Sequence, residues 1–370
     1  MFTRVRMAAV VGALSVFLSG CAHSYSYRAR LPEHPDGRTV CFLEKAAPVA
    51  QKAYQCGPAS LQSVFQYWGD STDADRIARD LVPPGAKGIL NFTLVQYAKE
   101  KGFWTDTRDA DETLLKERLR ARLPIILMLD TGVLWLERYH FIVVNGFDDS
   151  ERIFYANTGE PETQTVTYDE LRKMQKRAGN WSLLIIPPEL VQGDLTAEEA
   201  NDLAILLEKK NRLDLAERRY RLALEKSPKL SVARFNLANI FLRSNRYQEA
   251  EQIYLGLLAE KPDETNRRDF EALVQNNLAW IYVETGRPRE AVETIEAALQ
   301  KGAHRRYDML DTLGVAYLKL SDLDRAGQMF REAMALAGAE NPEALSTIRS
   351  HLDQVSAKAE TPLTLRPKTG

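Results

Sequence analysis

Between about residue 196 and residue 352 the chain repeats itself, and no other feature constrains its fold as tightly. Ala216, Tyr220 and Pro228 recur as Ala250, Tyr254 and Pro262, a shift of 34 residues in all three. In the same register "NLANIF" (Asn236 to Phe241), "NLAWIY" (Asn277 to Tyr282) and "TLGVAY" (Thr312 to Tyr317) read as first helices, with Ala291 and Ala326 at the small position of second helices. A helix pair of this length cannot bury its apolar face alone, so the units must stack into an all-α solenoid with a groove. Four units fit, the first being "NDLAILLEKKNRLDLAERRYRLALEKSP". From Ala250 to Ala291 the spacing is 41 residues, which places an insertion near "DETNRRD". Residues 353–370 carry no such pattern and read as a disordered tail.

The period is that of tetratricopeptide arrays, which are primarily binding modules, so a protein partner in the groove is expected. Asn236 and Asn239 read as packing and capping residues of the array. With 370 residues the chain has room for a second domain, and residues 45–190 have a different character. "PASLQSVFQYW" spaces Leu61, Val64, Phe65 and Trp68 along one helix face, whereas "LPIILML", "HFIVVNGF", "RIFYA" and "WSLLIIP" read as strands. Helices first, then strands joined by hairpins, imply an α+β domain. The net charge of −2 provides no basic footprint for nucleic acid.

Three cysteines remain to be explained: Cys21, Cys41 and Cys56. Cys56 precedes Gly57-Pro58 at the start of the predicted helix, where unpaired N–H groups and the helix dipole favour a thiolate. A buried structural cysteine, or one half of a Cys41–Cys56 disulfide, is the plainer reading. A nucleophile needs a base. His23 and His34 fall in the polar N-terminal stretch and His304 and His351 in the repeats, which leaves His140 at the head of "HFIVVNGF". With a turn near Asp149, a hairpin sets His140 opposite Thr158 and beside Asn157, whose amide can hold the imidazole. Gln51, or alternatively Gln55, can supply a side-chain donor to an oxyanion. The cysteines and histidines lack the paired spacing of a zinc site, and no cofactor is expected.

"QKAYQCGPASL", then "HFIVVNGF", then a polar residue ending the next strand, resembles the papain-like cysteine peptidases of the double-glycine, bacteriocin-processing family (family 39). The resemblance implies an α+β papain-like fold with Cys56 as nucleophile, His140 as general base and Gln51 as oxyanion donor. Its third position is usually Asp followed by Pro. Here it is Asn157-Thr158, and Asn is the residue that papain-like enzymes at large use. Neither a transporter nor a glycine-rich nucleotide loop accompanies the domain, so the double-glycine specificity does not carry over.

At the N-terminus Arg4 and Arg6 precede the apolar "MAAVVGALSVFL", a stretch too short to span a membrane and typical of a signal peptide. It ends in "LSGC", which resembles the lipobox of bacterial lipoproteins. The resemblance implies lipidation of Cys21, cleavage before it, and, from Ala22, sorting to the periplasmic face of a Gram-negative outer membrane. Residues 22–44 then form a polar tether. The expectation is an envelope-anchored cysteine peptidase that acts on a protein or peptide and recruits it through the repeats. Two alternatives stand beside it: a scaffold lipoprotein whose papain-like domain has lost turnover, and an acyl transferase sharing the thioester intermediate.

Overall fold

The computed structural model describes residues 39–86, 88–132, 136–260, 267–339 and 341–360. The signal segment, Cys21, most of the expected tether and Pro262 lie outside them. The chain divides into two compact units at Gly193/Asp194.

The first unit runs β1 (Val40–Phe42), α1 (Cys56–Tyr67), α2 (Ala74–Leu81), α3 (Asn91–Glu100), β2 (Trp104–Asp109), α4 (Glu112–Arg120), β3 (Ile125–Asp130), β4 (Tyr139–Asp148), β5 (Ile153–Asn157), β6 (Gln164–Thr167), α5 (Tyr168–Arg177) and β7 (Trp181–Ile186). The strands form one antiparallel sheet in the order β2-β7-β3-β4-β5-β6, and β1 also pairs with β4. This is the expected α+β fold. It departs from the expected order of helices before strands, since β1 precedes α1 and β2 lies between helices. Val40–Phe42 is therefore part of the sheet and not of a tether.

The core explains why α1 lies where it does. Its apolar stripe, Leu61, Val64 and Phe65, joins Leu94, Tyr97 and Phe103 in one buried cluster with Ile126, Phe141, Val143, Leu183 and Ile185 from the sheet. Phe65 stacks on Phe103 with ring centroids 5.1 Å apart. Each of these side chains contributes roughly 1.5–3 kcal/mol on leaving water, so the helix is fixed against β4 by its own stripe. Cys56 belongs to the same cluster.

The second unit is all helix: α6 (Ala197–Lys209), α7 (Leu213–Lys226), α8 (Ser231–Arg243), α9 (Tyr247–Ala259), α10 (Arg267–Glu284), α11 (Pro288–Gln300), α12 (Tyr307–Lys319), α13 (Leu323–Ala337) and α14 (Pro342–Glu360). The first eight pair into the four expected units. Ala216, Ala250, Ala291 and Ala326 are fully buried, as are Tyr220 and Tyr254, because the small residue lets the paired helices approach while the ring fills the space beside it. The turns within the pairs pass through Asn211, Asn245, Gly286 and Ser321, each with φ between 57° and 77°. The insertion lengthens α10, which starts at Arg267 and runs 18 residues. Residues 353–360, expected in the tail, belong to α14, which runs to Glu360, and the rest of the expected tail lies outside the described residues. Among the described residues no helix is long and apolar enough to cross a membrane.

Candidate active site

Cys56 is the first residue of α1, with Gln55 as N-cap making no side-chain cap. The turn that delivers it is tight: the Gln55 N–H donates to the Lys52 carbonyl at 3.1 Å, and Tyr54 takes φ 64°. Cys56 is 9% exposed and forms no disulfide. Cys41 is a thiol as well, 1% exposed on β1, and its S–H donates to the Leu119 carbonyl. Burial pushes the Cys41 thiol up, against the opposing charges of Arg122 and Arg120. The expected alternative of a Cys41–Cys56 bond is therefore not formed. Cys41 pairs with Phe147 near the far end of β4 from His140, which holds it away from the start of that strand.

His140 lies near the start of β4 and is 4% exposed. Its Nε2 is 2.9 Å from the carbonyl oxygen of Thr158, and its Nδ1 is buried without a partner. A carbonyl can only accept, so Nε2 carries the proton and Nδ1 holds the lone pair. An imidazole in this state is ready to take a proton at Nδ1.

Asn157 is not where the hairpin argument put it. The β4–β5 turn spans residues 149–152, and a bulge between Val144 and Gly146 shifts the ladder, so Asn157 sits opposite Val143. Its amide N–H groups donate to the Ala46 carbonyl at 2.7 Å and to Ser63 Oγ at 3.1 Å. Its carbonyl oxygen accepts from Thr163 Oγ1 at 2.9 Å, with Asn145 Nδ2 at 3.5 Å. The Asn157 side chain thus ties β5 to α1 and to the segment before it, and His140 is held by the next residue's main chain.

Gln51 lies against that same segment. Its N–H donates to the Gly159 carbonyl at 2.9 Å, and its side chain covers Gly159 so closely that a Cβ there would come 2.2 Å from Gln51 Cδ. Its Oε1 is buried without a partner, as is Thr158 Oγ1. The structure therefore brings Gln51, Thr158, Gly159 and His140 together, and the turn after Gln51 leads into Cys56. Gln55, the competing donor, is the partly buried cap residue. The hairpin argument set Thr158 opposite His140 but gave it no role, because a main-chain acceptor leaves no trace in residue type. Among the described residues no group of three or more His, Cys, Asp or Glu side chains could hold a metal ion.

Residues 43–184 match the model of the Peptidase_C39 like family, and residues 201–265 and 276–341 match a tetratricopeptide repeat model. The chain therefore carries a domain similar to C39 peptidases followed by an all-helical region similar to tetratricopeptide repeats. Solved structures similar to the C39-like domain include a C39-like peptidase from Bacillus anthracis, 14% identical with TM-score 0.35, covering 40% of this chain and 97% of that one. A second is the peptidase domain of Streptococcus ComA, a bifunctional ABC transporter of a quorum-sensing pathway, 23% identical with TM-score 0.31 over 38% and 98% of the two chains. The repeats are similar to PilF of Pseudomonas aeruginosa, 19% identical with TM-score 0.34 over 44% and 72%. No curated protein sequence matches the chain.

Proposed function

We propose that the C39-like domain is a working cysteine peptidase and that the repeats bring it a protein or peptide. Cys56 attacks the substrate carbonyl, and His140 Nδ1 takes the thiol proton and returns it to the leaving amine. Gln51, with the N–H of Cys56, stabilises the oxyanion. The observation that carries this reading is the His140 ring: one nitrogen is locked by a carbonyl and the other, buried, is left with its lone pair. A merely structural histidine would have both nitrogens paired, since a buried polar atom without a partner costs about 1–3 kcal/mol. Lipidation of Cys21 would hold the enzyme to the envelope, with the repeats facing the periplasm.

The test is the pH dependence of Cys56 alkylation by iodoacetamide in the reduced chain lacking residues 1–21, beside His140→Ala. The expected result is a reactive thiolate well below the ~8.5 of a free cysteine, lost or shifted in the variant. Slow alkylation indifferent to His140 would overturn it. The rival reading, a scaffold that has lost turnover, draws on Asn157, whose side chain is committed to Ala46 and Ser63 and does not reach the base. Under that reading Cys56→Ala keeps a captured partner and no cleaved product is ever found.

A further inference from the structure

We infer that the main-chain carbonyl of Thr158, and not the side chain of Asn157, is the positioning group of His140, and that Asn157 acts as a strut holding the Thr158–Gly159 segment in place. The inference rests on the proposed catalytic reading and assigns the third role in it to a different chemical group.

The geometry is direct. Among the described residues the His140 ring makes its hydrogen bond through Nε2 to the Thr158 carbonyl, at 2.9 Å, and Nδ1 makes none. A carbonyl acceptor demands the Nε2–H tautomer and fixes the ring plane, which are the two services an orienting side chain renders. The Asn157 amide has no capacity left for this. Both N–H groups are spent on Ala46 and Ser63, and the oxygen accepts from Thr163. Asn157 is 4% exposed and Thr158 3% exposed, so neither arrangement is diluted by water.

The strut explains how a loop carbonyl can be placed accurately enough. Thr158 follows the last residue of β5, where the sheet no longer dictates its orientation. On one side, Asn157 ties the chain to Ala46 and to Ser63 on α1. On the other, Gly159 is tied to Gln51 by the 2.9 Å N–H bond and by side-chain contact. The Thr158 carbonyl is thus clamped between two attachments that both lead to the segment before Cys56. A displacement of Asn157 would reach His140 only through this segment. The same clamp accounts for Asn in place of Asp: the position must donate to a main-chain carbonyl, which a carboxylate cannot do.

The experiment reads the tautomer directly. Selective 15N-histidine labelling of the full chain, with His140→Gln to assign the resonance, reports which ring nitrogen carries the proton. The expected result is pyrrole-like Nε2 and pyridine-like Nδ1 in the wild type and also in Asn157→Ala, where the Gln51 N–H bond to the Gly159 carbonyl still holds the Thr158 main chain beside His140 and only the second attachment, with its share of stability, is lost. The Asn157→Ala melting temperature should fall. A tautomer that switches to Nδ1–H, or becomes mixed, in a folded Asn157 variant would overturn the inference. Should Asn157→Ala fail to fold, the milder Asn157→Ser reads the same signal. An Nε2–H wild type whose Cys56 alkylation ignores His140 would overturn the peptidase reading and leave the Thr158 contact standing, so the two failures are distinguishable.

Discussion

At the scale of single residues, Gly159 is the position where the structure is least forgiving. Its φ of 95° is one that side chains rarely adopt, and an added Cβ would collide with Gln51. Gly159→Ala is expected to cost about 1–3 kcal/mol in stability from the backbone alone. By displacing the Gln51 amide it is also expected to lower peptide hydrolysis by roughly 10²–10³, the usual loss for one oxyanion donor. Gln51→Ala, which leaves the Gly159 backbone beside Thr158 untouched, isolates the amide: Cys56 alkylation involves no oxyanion, so its rate should hold in that variant while hydrolysis falls, and equal losses in both assays would refute the assignment of Gln51. The two cysteines offer a second prediction. Cys41 is buried with its S–H engaged and its thiol pushed up, so in the chain lacking residues 1–21 brief native alkylation should label Cys56 alone, and mass spectrometry of the peptides checks it. Cys56, His140 and Gln51 could be put forward from the sequence because acyl-transfer chemistry needs particular side chains at particular spacings. The group that meets His140 could not be: Thr158 was set opposite it by the hairpin, but the acceptor is a backbone oxygen, which no residue type announces.

At the scale of elements, the strands that the sequence hid are those at the sheet's ends. β2 reads "WTDTRD" and β6 reads "QTVT". Each pairs on one edge only, so polar residues are tolerated and the apolar run that betrays β3, β4 and β7 is missing. A charged clamp joining α4, α5 and the β4–β5 turn also went unread, because its members come from three elements. Asp149, in the β4–β5 turn, takes the Lys116 ammonium from α4 at 2.5 Å and the Tyr168 hydroxyl from α5 at 2.8 Å. Arg172 of α5 meets Glu112 of α4 at 2.8 Å. Burial pushes both carboxyls up. Hydrogen bonds from Lys116 and Tyr168, with the charges of Lys116 and Arg120, outweigh it for Asp149, and those of Lys116 and Arg172 outweigh it for Glu112. Both therefore titrate below their ordinary range. Their stabilisation is complete above the unfolded values of about 4 and is lost as pH falls through the lower folded values. The melting temperature of the C39-like unit should hold from neutrality to about pH 5 and drop below about pH 4, and Asp149→Asn should lower it at neutrality while flattening the acid limb. An unchanged acid limb in Asp149→Asn would assign that loss to other carboxylates.

At the scale of the whole molecule, the repeats were legible because each unit restates the same solution, and they carry a ladder that the period alone did not announce. Arg246 reaches back to Glu217 at 2.7 Å and Arg287 to Glu251 at 2.6 Å, the same pair one unit later despite the insertion between them. The last helix was missed for the opposite reason. In α14 the buried apolar positions are Ile348 and Val355, too sparse to mark a face, and the rest of the attachment is polar. His351 Nδ1 lies 2.8 Å from Asp311 on α12, and its ring packs on Phe330 of α13 with centroids 5.5 Å apart. An end helix that covers its neighbours' apolar surface is what a solenoid requires for solubility. Ile348 is 1% exposed, so Ile348→Ala should destabilise the repeat unit by about 2–5 kcal/mol. Because the chain divides at Gly193/Asp194 into two compact units, this loss is expected to stay on its own side of the boundary. Unfolding followed by repeat helicity is expected to shift to lower denaturant in Ile348→Ala while the rate of Cys56 alkylation in native buffer stays the same. A slower or faster Cys56 in that variant would show that the stability of the repeats bears on the first unit.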